Sequence, residues 1–414
     1  MNNAHMDVEV RSIRSDEYEP FIRAMKLGFG DHTTEDDIHQ SKEKGFEPDR
    51  AIAAFHEGKI VGTTDSFHVE IAVPGHVLSS SAVQNVAVPP THRRRGILSK
   101  LMRRQIDDLY GRGEPLAILH ASESSIYGRY GFGRSIFVEG WSIDRQYTAI
   151  ERFPKLSGQV EMVGPDEANS MFAQVYDRVW LNRPGMIKRD KRLWEVRLRD
   201  QMGTKAGPPE KHREGDTAYF HAVYIRDDRP DGYVLYRVNH QNSKLYVNEL
   251  IAATNEAEVA LWSFCFGVDL RETVEAGNRP LDDPLQWILK DPRRLRRTVH
   301  DTLWLRLLNV REALAGRNYA QNGLLVLEID DPFCPWNAAR YELEGGPERS
   351  ECRPTNGTAD LRLSAADLAS VYLGAVRFRT LFHAGRVQVR TPKTLAMADA
   401  MFATDLQPWC CDFF

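Results

Sequence analysis

Residues 83–131 constrain this chain more than any other stretch. They begin VQNVAVPPTHRRRGILSKLMRRQ and close with LHASESSIYGRYG. Gln84 to Val88 reads as a strand, and Pro89-Pro90 ends it because proline cannot donate to a ladder. A helix is predicted after Gly96, since Leu98, Leu101, Met102, Gln105, Ile106 and Leu109 recur on one face. Gly111 and Gly113 stop it. Strand, arginine–glycine turn and helix start aim free backbone N–H groups at one spot, and the helix dipole adds positive charge there. An anion such as a pyrophosphate suits that spot. Arg93, Arg94 and Arg95 add forked donors, and Gly96 lets a phosphate approach the backbone closely.

Two other phosphate motifs are excluded. A P-loop needs G-x-x-x-x-G-K-[S/T], which the chain lacks, and a dinucleotide fingerprint needs three spaced glycines where Gly96 stands alone. Downstream, Ala117–His120 is predicted as a short apolar strand. Ser122 is then expected to cap a short helix carrying Ser125 and Tyr127. Tyr130 precedes a G-x-G turn and reads as a packing aromatic.

The pattern R-x-x-G after an apolar strand, closed by YGRYGFG, resembles the acetyl-CoA loop of the GNAT acyltransferase superfamily. By that resemblance the amides of Arg94 to Gly96 hold the pyrophosphate, and Val86 and Val88 line the pantetheine arm. Arg93, Ile97 and Ser122 join them around the cofactor, and Gln84 and Asn85 face the acceptor. Tyr127 places its hydroxyl beside the CoA sulfur. The family's usual small residue two places after the glycine is Leu98 here.

A chain of 414 residues is too long for one core, and 42% hydrophobic with 27% charged residues marks it as globular. No run of eighteen apolar residues occurs, so no membrane span is expected. The start MNNAHMDVEV lacks a basic region followed by an apolar core, which argues against secretion. Five cysteines without a C-x-x-C suit a reducing cytoplasm and form no disulfide framework or zinc site. The thirteen histidines lack ligand-like spacing, so no metal is expected. A net charge of −4 disfavours nucleic acid and tolerates cationic small molecules.

Along the chain the predicted order is strand, helix, helix, two strands, the key strand, helix, strand and short helix. That is the α/β (α+β) order of a GNAT domain, expected over 1–148. Asp31, Glu35, Asp36 and Asp37 lie between its first helices. They read either as carboxylates drawing in an ammonium substrate or as an ordinary acidic helix start; for Asp31 both readings stand. A second, similar order over 149–296 lacks the arginine–glycine turn: Ala252-Ala253-Thr254-Asn255 runs straight into a helix, with Thr254 as cap. Duplication with loss of the cofactor site follows as an expectation. After a charged bridge, Asp291–Arg297, residues 297–414 alternate strands and helices in a manner that looks like a sterol-carrier-protein-like fold.

Two GNAT units and this module together resemble the Eis family of acetyltransferases. VAVPPTHRRRGIL, ASESSIYGRYGFG, DGYVLYRV, DPLQWIL and LWLRLLNV carry the likeness. The resemblance implies an acetyl-CoA-dependent homohexamer that acetylates amines of aminoglycosides, polyamines or lysine side chains. It also implies that the terminal carboxylate, that of Phe414, enters the active site. Protein-lysine acetylation and a lipid or sterol carrier role are the alternatives.

Overall fold

Mixed sheets organise the computed structural model, which describes residues 7–43, 47–151, 155–195 and 215–414. The first sheet takes β1 (Glu9–Ser12), β2 (Ile52–His56), β3 (Lys59–Val73), β4 (His76–Ala87), β5 (Leu116–His120) and β6 (Gly133–Arg134). A distant strand, β14 (Leu303–Leu307), inserts between β5 and β6, giving the order β1-β2-β3-β4-β5-β14-β6. Its pairing is antiparallel, with Leu305 opposite Ile118 and Leu303 opposite His120.

Helix α1 (Tyr18–Phe29) buries Phe21, Ile22 and Met25 and ends on Gly30 in the left-handed conformation. The polar α2 spans Glu35–Glu43; Lys44, expected at its end, lies outside the described residues. Helix α3 (Ile97–Gly111) buries Leu101, Met102, Gln105, Ile106 and Leu109, as its spacing predicts.

The second sheet has the order β13-β7-β12-β11-β10-β9-β8. Its strands are β7 (Phe137–Asp144), β8 (Gln159–Val163), β9 (Phe220–Arg226), β10 (Arg229–Asn239), β11 (Lys244–Ala252), β12 (Thr273–Pro280) and β13 (Arg296–Asp301). Helices α4 (Pro165–Val179) and α5 (Asn255–Gly267) pack on it. Thr254 caps α5 as expected, its hydroxyl accepting from Ala257 N at 3.2 Å. The charged bridge differs from expectation. Residues 291–295 stay outside the sheet, with a helical turn at Pro292–Arg294, but the bridge's last two residues open Arg296–Asp301, an edge strand paired with β7. Five of its six side chains are exposed, so alternation had nothing to report.

The third sheet runs β17-β16-β15-β18-β19, from β15 (Gly323–Asp330), β16 (Arg340–Gly345), β17 (Ser350–Pro354), β18 (Leu361–Ser364) and β19 (Val387–Val389). Helices α6 (Val310–Ala315), α7 (Ala365–Tyr372), α8 (Phe378–His383) and α9 (Pro392–Met401) accompany it. Ser364 and Thr391 cap α7 and α9 through their hydroxyls.

Two compact units result. One contains residues 1–135, 302–404 and 413–414; the other contains 136–301 and 405–412. Phe137–Asp144, expected to close the first domain, thus lies in the second unit's sheet. Residues 302–404, expected as a separate module, cluster with the first sheet. Among the described residues no helix is long and apolar enough to cross a membrane.

One buried ion pair ties β14 to the loop after β15. Arg306 is fully buried and pairs with Asp331, which also accepts from Cys334 N at 2.9 Å and Asn337 Nδ2 at 3.2 Å. Gly131 abuts the guanidinium with φ +82°, so a side chain there would be both strained and in collision. Asp331→Ala leaves Arg306 buried without its partner. Urea unfolding of this unit should show a loss of about 3–5 kcal/mol.

Candidate active site

The first sheet opens at its centre. β4 and β5 pair in parallel at Ser80–Leu116, Ser81–Ala117 and Ala82–Ile118, and the ladder ends there although both strands continue. The β3–β4 ladder slips at the same level. Thr63 pairs with Ala87 and Asp65 with Gln84, so Asn85 and Val86 together oppose Thr64. This is a bulge, which bends its strand and re-aims its side chains. Asn85 sits at φ +55°. Its Nδ2 donates to Asp65 Oδ2 at 3.2 Å, and its carbonyl accepts from Thr63 Oγ1 at 2.9 Å. Backbone groups beyond the last parallel pair are thereby left for a ligand to satisfy.

The arginine turn lies at the end of this bent strand. Arg94 (φ +63°) and Gly96 (φ +81°) both adopt the left-handed conformation, alternating with extended or helical neighbours as in an anion-binding nest. Gly96 is the N-cap of α3 and no side chain caps the helix, so its first N–H groups remain available. Arg93 is occupied elsewhere: Nε donates to Val88 O at 3.0 Å and Nη2 to Gly28 O at 2.8 Å, folding the turn back. Arg94 and Arg95 are exposed. Burial, then Arg95 and His56, hold the His92 imidazole below its ordinary value, so the turn's charge comes from arginine. Ile97 turns its side chain into the core with Val8, Ile52 and Leu101, leaving its backbone N–H as what it has to offer. These features fit a pyrophosphate: open donors, two uncommitted guanidinia and a glycine at the closest approach.

Past β5 the helical turn starts only at Tyr127 and ends at Tyr130. Ser122 is exposed five residues earlier and caps nothing; residues 124–126 form a turn, with Ile126 N donating to Glu123 O. Tyr127 is 5% exposed and meets Phe132 edge-on at 6.0 Å. Desolvation, and then Tyr130, push its hydroxyl up to about 12. Tyr130 is engaged in packing, its hydroxyl 3.0 Å from Ser99 Oγ and its ring 5.0 Å from Phe333.

The terminal residues meet the same unit. Phe414 packs edge-on against Phe67 of β3 at 5.7 Å and against His120 at 4.8 Å, and Phe413 lies 4.6 Å from His120. His120 closes β5, and its Nδ1 is 3.1 Å from Thr302 O and 3.2 Å from Thr302 Oγ1. Neither His120 nor Asp65 stands out in the sequence. Their only signal is position, one at the strand end before the tyrosine turn and one opposite the bulge. Gln84 is half-buried just before the bulge, and Val86 and Val88 are half-buried around it. Asp31 lies on the exposed loop after α1. Lys26 reaches Asp31 at 3.3 Å and Asp37 at 3.0 Å, and Arg23 reaches Glu35 at 3.0 Å, so this acidic cluster already carries cations.

The second unit repeats the opening without the turn. β11 and β12 pair in parallel from Lys244–Thr273 to Val247–Ala276 and no further. On the other side of β11, Leu235 pairs with Glu249 and Tyr236 with Val247, so Asn248 is bulged as Asn85 is. Thr254 then consumes a donor at the start of α5, where the first unit leaves its donors open.

Comparison with known proteins bears on the fold and the family. The acetyltransferase (GNAT) domain family matches residues 9–135, a second acetyltransferase (GNAT) family matches 185–325, and the sterol carrier protein domain matches 310–411. An N-acetyltransferase of Streptomyces coelicolor is 34% identical over 98% of this chain and 99% of its own. The N-acetyltransferase Eis of Mycobacterium tuberculosis is 36% identical over 84% of each chain. The crystal structure of Eis1 from Mycobacterium abscessus superposes with a TM-score of 0.84 at 30% identity, covering 98% of this chain and 100% of that one. A GCN5-related N-acetyltransferase from Anabaena variabilis shares the fold, with a TM-score of 0.84 at 20% identity over 99% of this chain and 100% of its own. Tandem GNAT folds followed by a sterol-carrier-like module, with relatives alike along nearly the whole length, make this chain a member of the Eis family of GNAT N-acetyltransferases.

Proposed function

We propose that this enzyme acetylates amines of cationic acceptors, aminoglycosides and polyamine-like molecules, with Tyr127 as general acid and the Phe414 carboxylate as base. The observation that carries the reading is the content of the first unit. Open strands, an uncapped nest, a buried tyrosine and the chain terminus beside His120 and Phe67 all belong to it. The GNAT fold implies acetyl-CoA as donor, which when bound supplies an activated thioester. Arg94, Arg95 and the amides up to Ile97 would hold its phosphates. Free N–H groups of β4 past Ala82 would polarise the thioester carbonyl.

N-acetylation needs a neutral amine, and an alkylammonium titrates near about 10.4, so a proton must be removed at neutral pH. A terminal carboxylate, with an ordinary pKa near about 3.5, is a weak base alone but can act through a water while attracting the cation. Tyr127 stays protonated far above neutrality, so its hydroxyl is a loaded acid for the departing sulfur. Asp31 would attract cationic acceptors only in competition with Lys26. Lysine side chains of proteins would undergo the same chemistry and form the second acceptor class. The same family likeness implies a homohexamer working in the cytoplasm.

The carrier alternative draws less support. The sterol-carrier-like module centres on fully buried Arg317, which lies 4.6 Å from Tyr319 and 4.8 Å from Phe402 and donates to Tyr372 O. A buried guanidinium among aromatic rings is a poor lining for a lipid.

Thiol release with a panel of aminoglycosides, a linear polyamine and a lysine peptide, each against a no-acceptor blank, tests the acceptor class. Acceptor-dependent release is expected, strongest for the multiply charged amines; silence across the panel with CoA still bound would overturn it. Tyr127→Phe should keep acetyl-CoA affinity while lowering turnover about 10²-fold; unchanged turnover would remove the tyrosine from the chemistry. The pH profile follows from the signs. Because the Tyr127 proton is held to about 12 and the amine gains nucleophile as pH rises towards its own pKa of about 10.4, kcat/KM should climb from about pH 6 to about 10 without a plateau. An alkaline fall beginning near about pH 9 would mean a different acid.

A further inference from the structure

The second GNAT-like unit keeps the strand opening of a cofactor slot, and the chain's own tail lies along it. β11 and β12 part after Val247–Ala276 as β4 and β5 part after Ala82–Ile118. Across the second opening, Arg279 of β12 donates from Nη1 to Leu250 O of β11 at 2.6 Å. Residues 405–412 cluster with this unit and not with the module that precedes them in sequence.

The tail is held at each end and in its middle. Asn278, the β12 residue just past the parting, grips it in two directions. Its Oδ1 accepts from Trp409 Nε1 at 2.9 Å, and its Nδ2 donates to Cys410 O at 3.1 Å. Trp409 N donates to Pro184 O at 2.9 Å, and the Arg279 guanidinium lies 5.5 Å from the indole ring. Upstream, Gln407 N donates to Asp282 Oδ2 at 2.8 Å while its carbonyl accepts from Arg183 Nη1 at 2.9 Å. Downstream, Arg189 is fully buried and joins two carboxylates, Glu249 of β11 at 2.7 Å and Asp412 at 2.8 Å. Tyr176 adds a bond to Asp412 Oδ2 at 3.1 Å.

Backbone atoms of three tail residues and the side chains of Trp409 and Asp412 are thus all bonded. That division, main chain for affinity and pockets for side chains, is how domains recognise peptides. Arg189 needs an acidic side chain at one position, and Asn278 with Arg279 needs an aromatic N–H donor three residues earlier. An acyl-pantetheine arm offers neither group. The Thr254 hydroxyl also takes up one of the first α5 N–H groups that a phosphate would use.

We propose that the second GNAT-like unit is a peptide-binding module whose ligand is the chain's own segment Asp405–Asp412, an aromatic and acidic peptide in the slot its fold would give to a cofactor arm. Phe413 and Phe414 follow directly in sequence, so a tail released from this slot frees one anchor of the terminal carboxylate. That last consequence alone rests on the catalytic role proposed for Phe414.

Carboxypeptidase digestion of the full chain, read by intact mass, tests the docking without any assay of activity. Wild-type protein should lose at most Phe414 and Phe413 and stop at Asp412. Asn278→Leu and Trp409→Ala should each be trimmed past Asp412 at least tenfold faster while acetyl-CoA affinity stays at the wild-type value. Trimming of both variants at the wild-type rate, or of wild-type protein through Trp409, overturns the proposal. If Trp409→Ala loses acetyl-CoA binding through misfolding, the milder Asn278→Ser carries the test with the same expected result. Deleting Phe414 alone separates the two readings. Full turnover in that variant, with the slot variants still trimmed, removes the carboxylate role and leaves the peptide module standing.

Discussion

The parting of β4 from β5 is the constraint on which the first unit's chemistry depends. Two parallel strands that stayed paired to their ends would satisfy one another's backbone and leave nothing for a ligand. Here the ladder stops at Ala82–Ile118, and a bulge at Asn85 and Val86 bends β4 just beyond. Asn85 tolerates the left-handed backbone better than most side chains, and it ties its own amide to Asp65 across the ladder. The opening is therefore fixed by residues within the sheet. Once it exists, the nest at Arg94 to Gly96 and the tyrosine turn at 127–130 fall at its mouth through short connections alone.

The two units differ at one small, decisive place. Each has a bulged fourth strand, a parting from the fifth and a helix between the two in sequence. In the first, glycine caps the helix and leaves its N–H groups open; in the second, the Thr254 hydroxyl accepts one of them. A threonine cap stabilises its helix by about 1 kcal/mol and in doing so takes up one of the N–H groups an anion would use. The difference involves no change of fold, only a residue that satisfies locally one donor that a phosphate could otherwise satisfy.

What was legible in the sequence is what local rules govern. The apolar rhythm of α3, the caps at Thr254, Ser364 and Thr391, and the proline stop after β4 all follow from residues within a few positions of one another. Ser122 shows the limit of such rules. It has a capping side chain, but Arg129 donates to Ser125 O and Ile126 O and the turn begins only where Tyr127 can bury its ring. Strand exchange was not legible at all. β14 belongs beside β5, and β7 between β12 and β13, because of partners more than a hundred residues away. Alternation identifies a strand and its buried face; it cannot name the neighbour. In the tail Trp409, Cys410 and Cys411 are buried, as their apolar character would suggest. The role of Asp412 was invisible because its partner, Arg189, lies 223 residues upstream.

Buried arginines supply what alternation cannot. Arg306 meets Asp331, Arg189 meets Glu249 and Asp412, and Arg317 meets the carbonyls of Asn318 and Tyr372. Replacing such groups by apolar ones is often neutral or stabilising, so net stability does not explain them. Each guanidinium has several donors in a fixed plane and tolerates few environments. An apolar strand slipped by two residues still buries its face, whereas a buried guanidinium moved away from its acceptors is left charged and unpaired. Burial already depresses Arg317 despite its two carbonyls and its aromatic neighbours, a measure of how little misplacement could be absorbed. At the junctions of β14, of the tail and of the sterol-carrier-like module, these arginines select one pairing among many that hydrophobicity would accept.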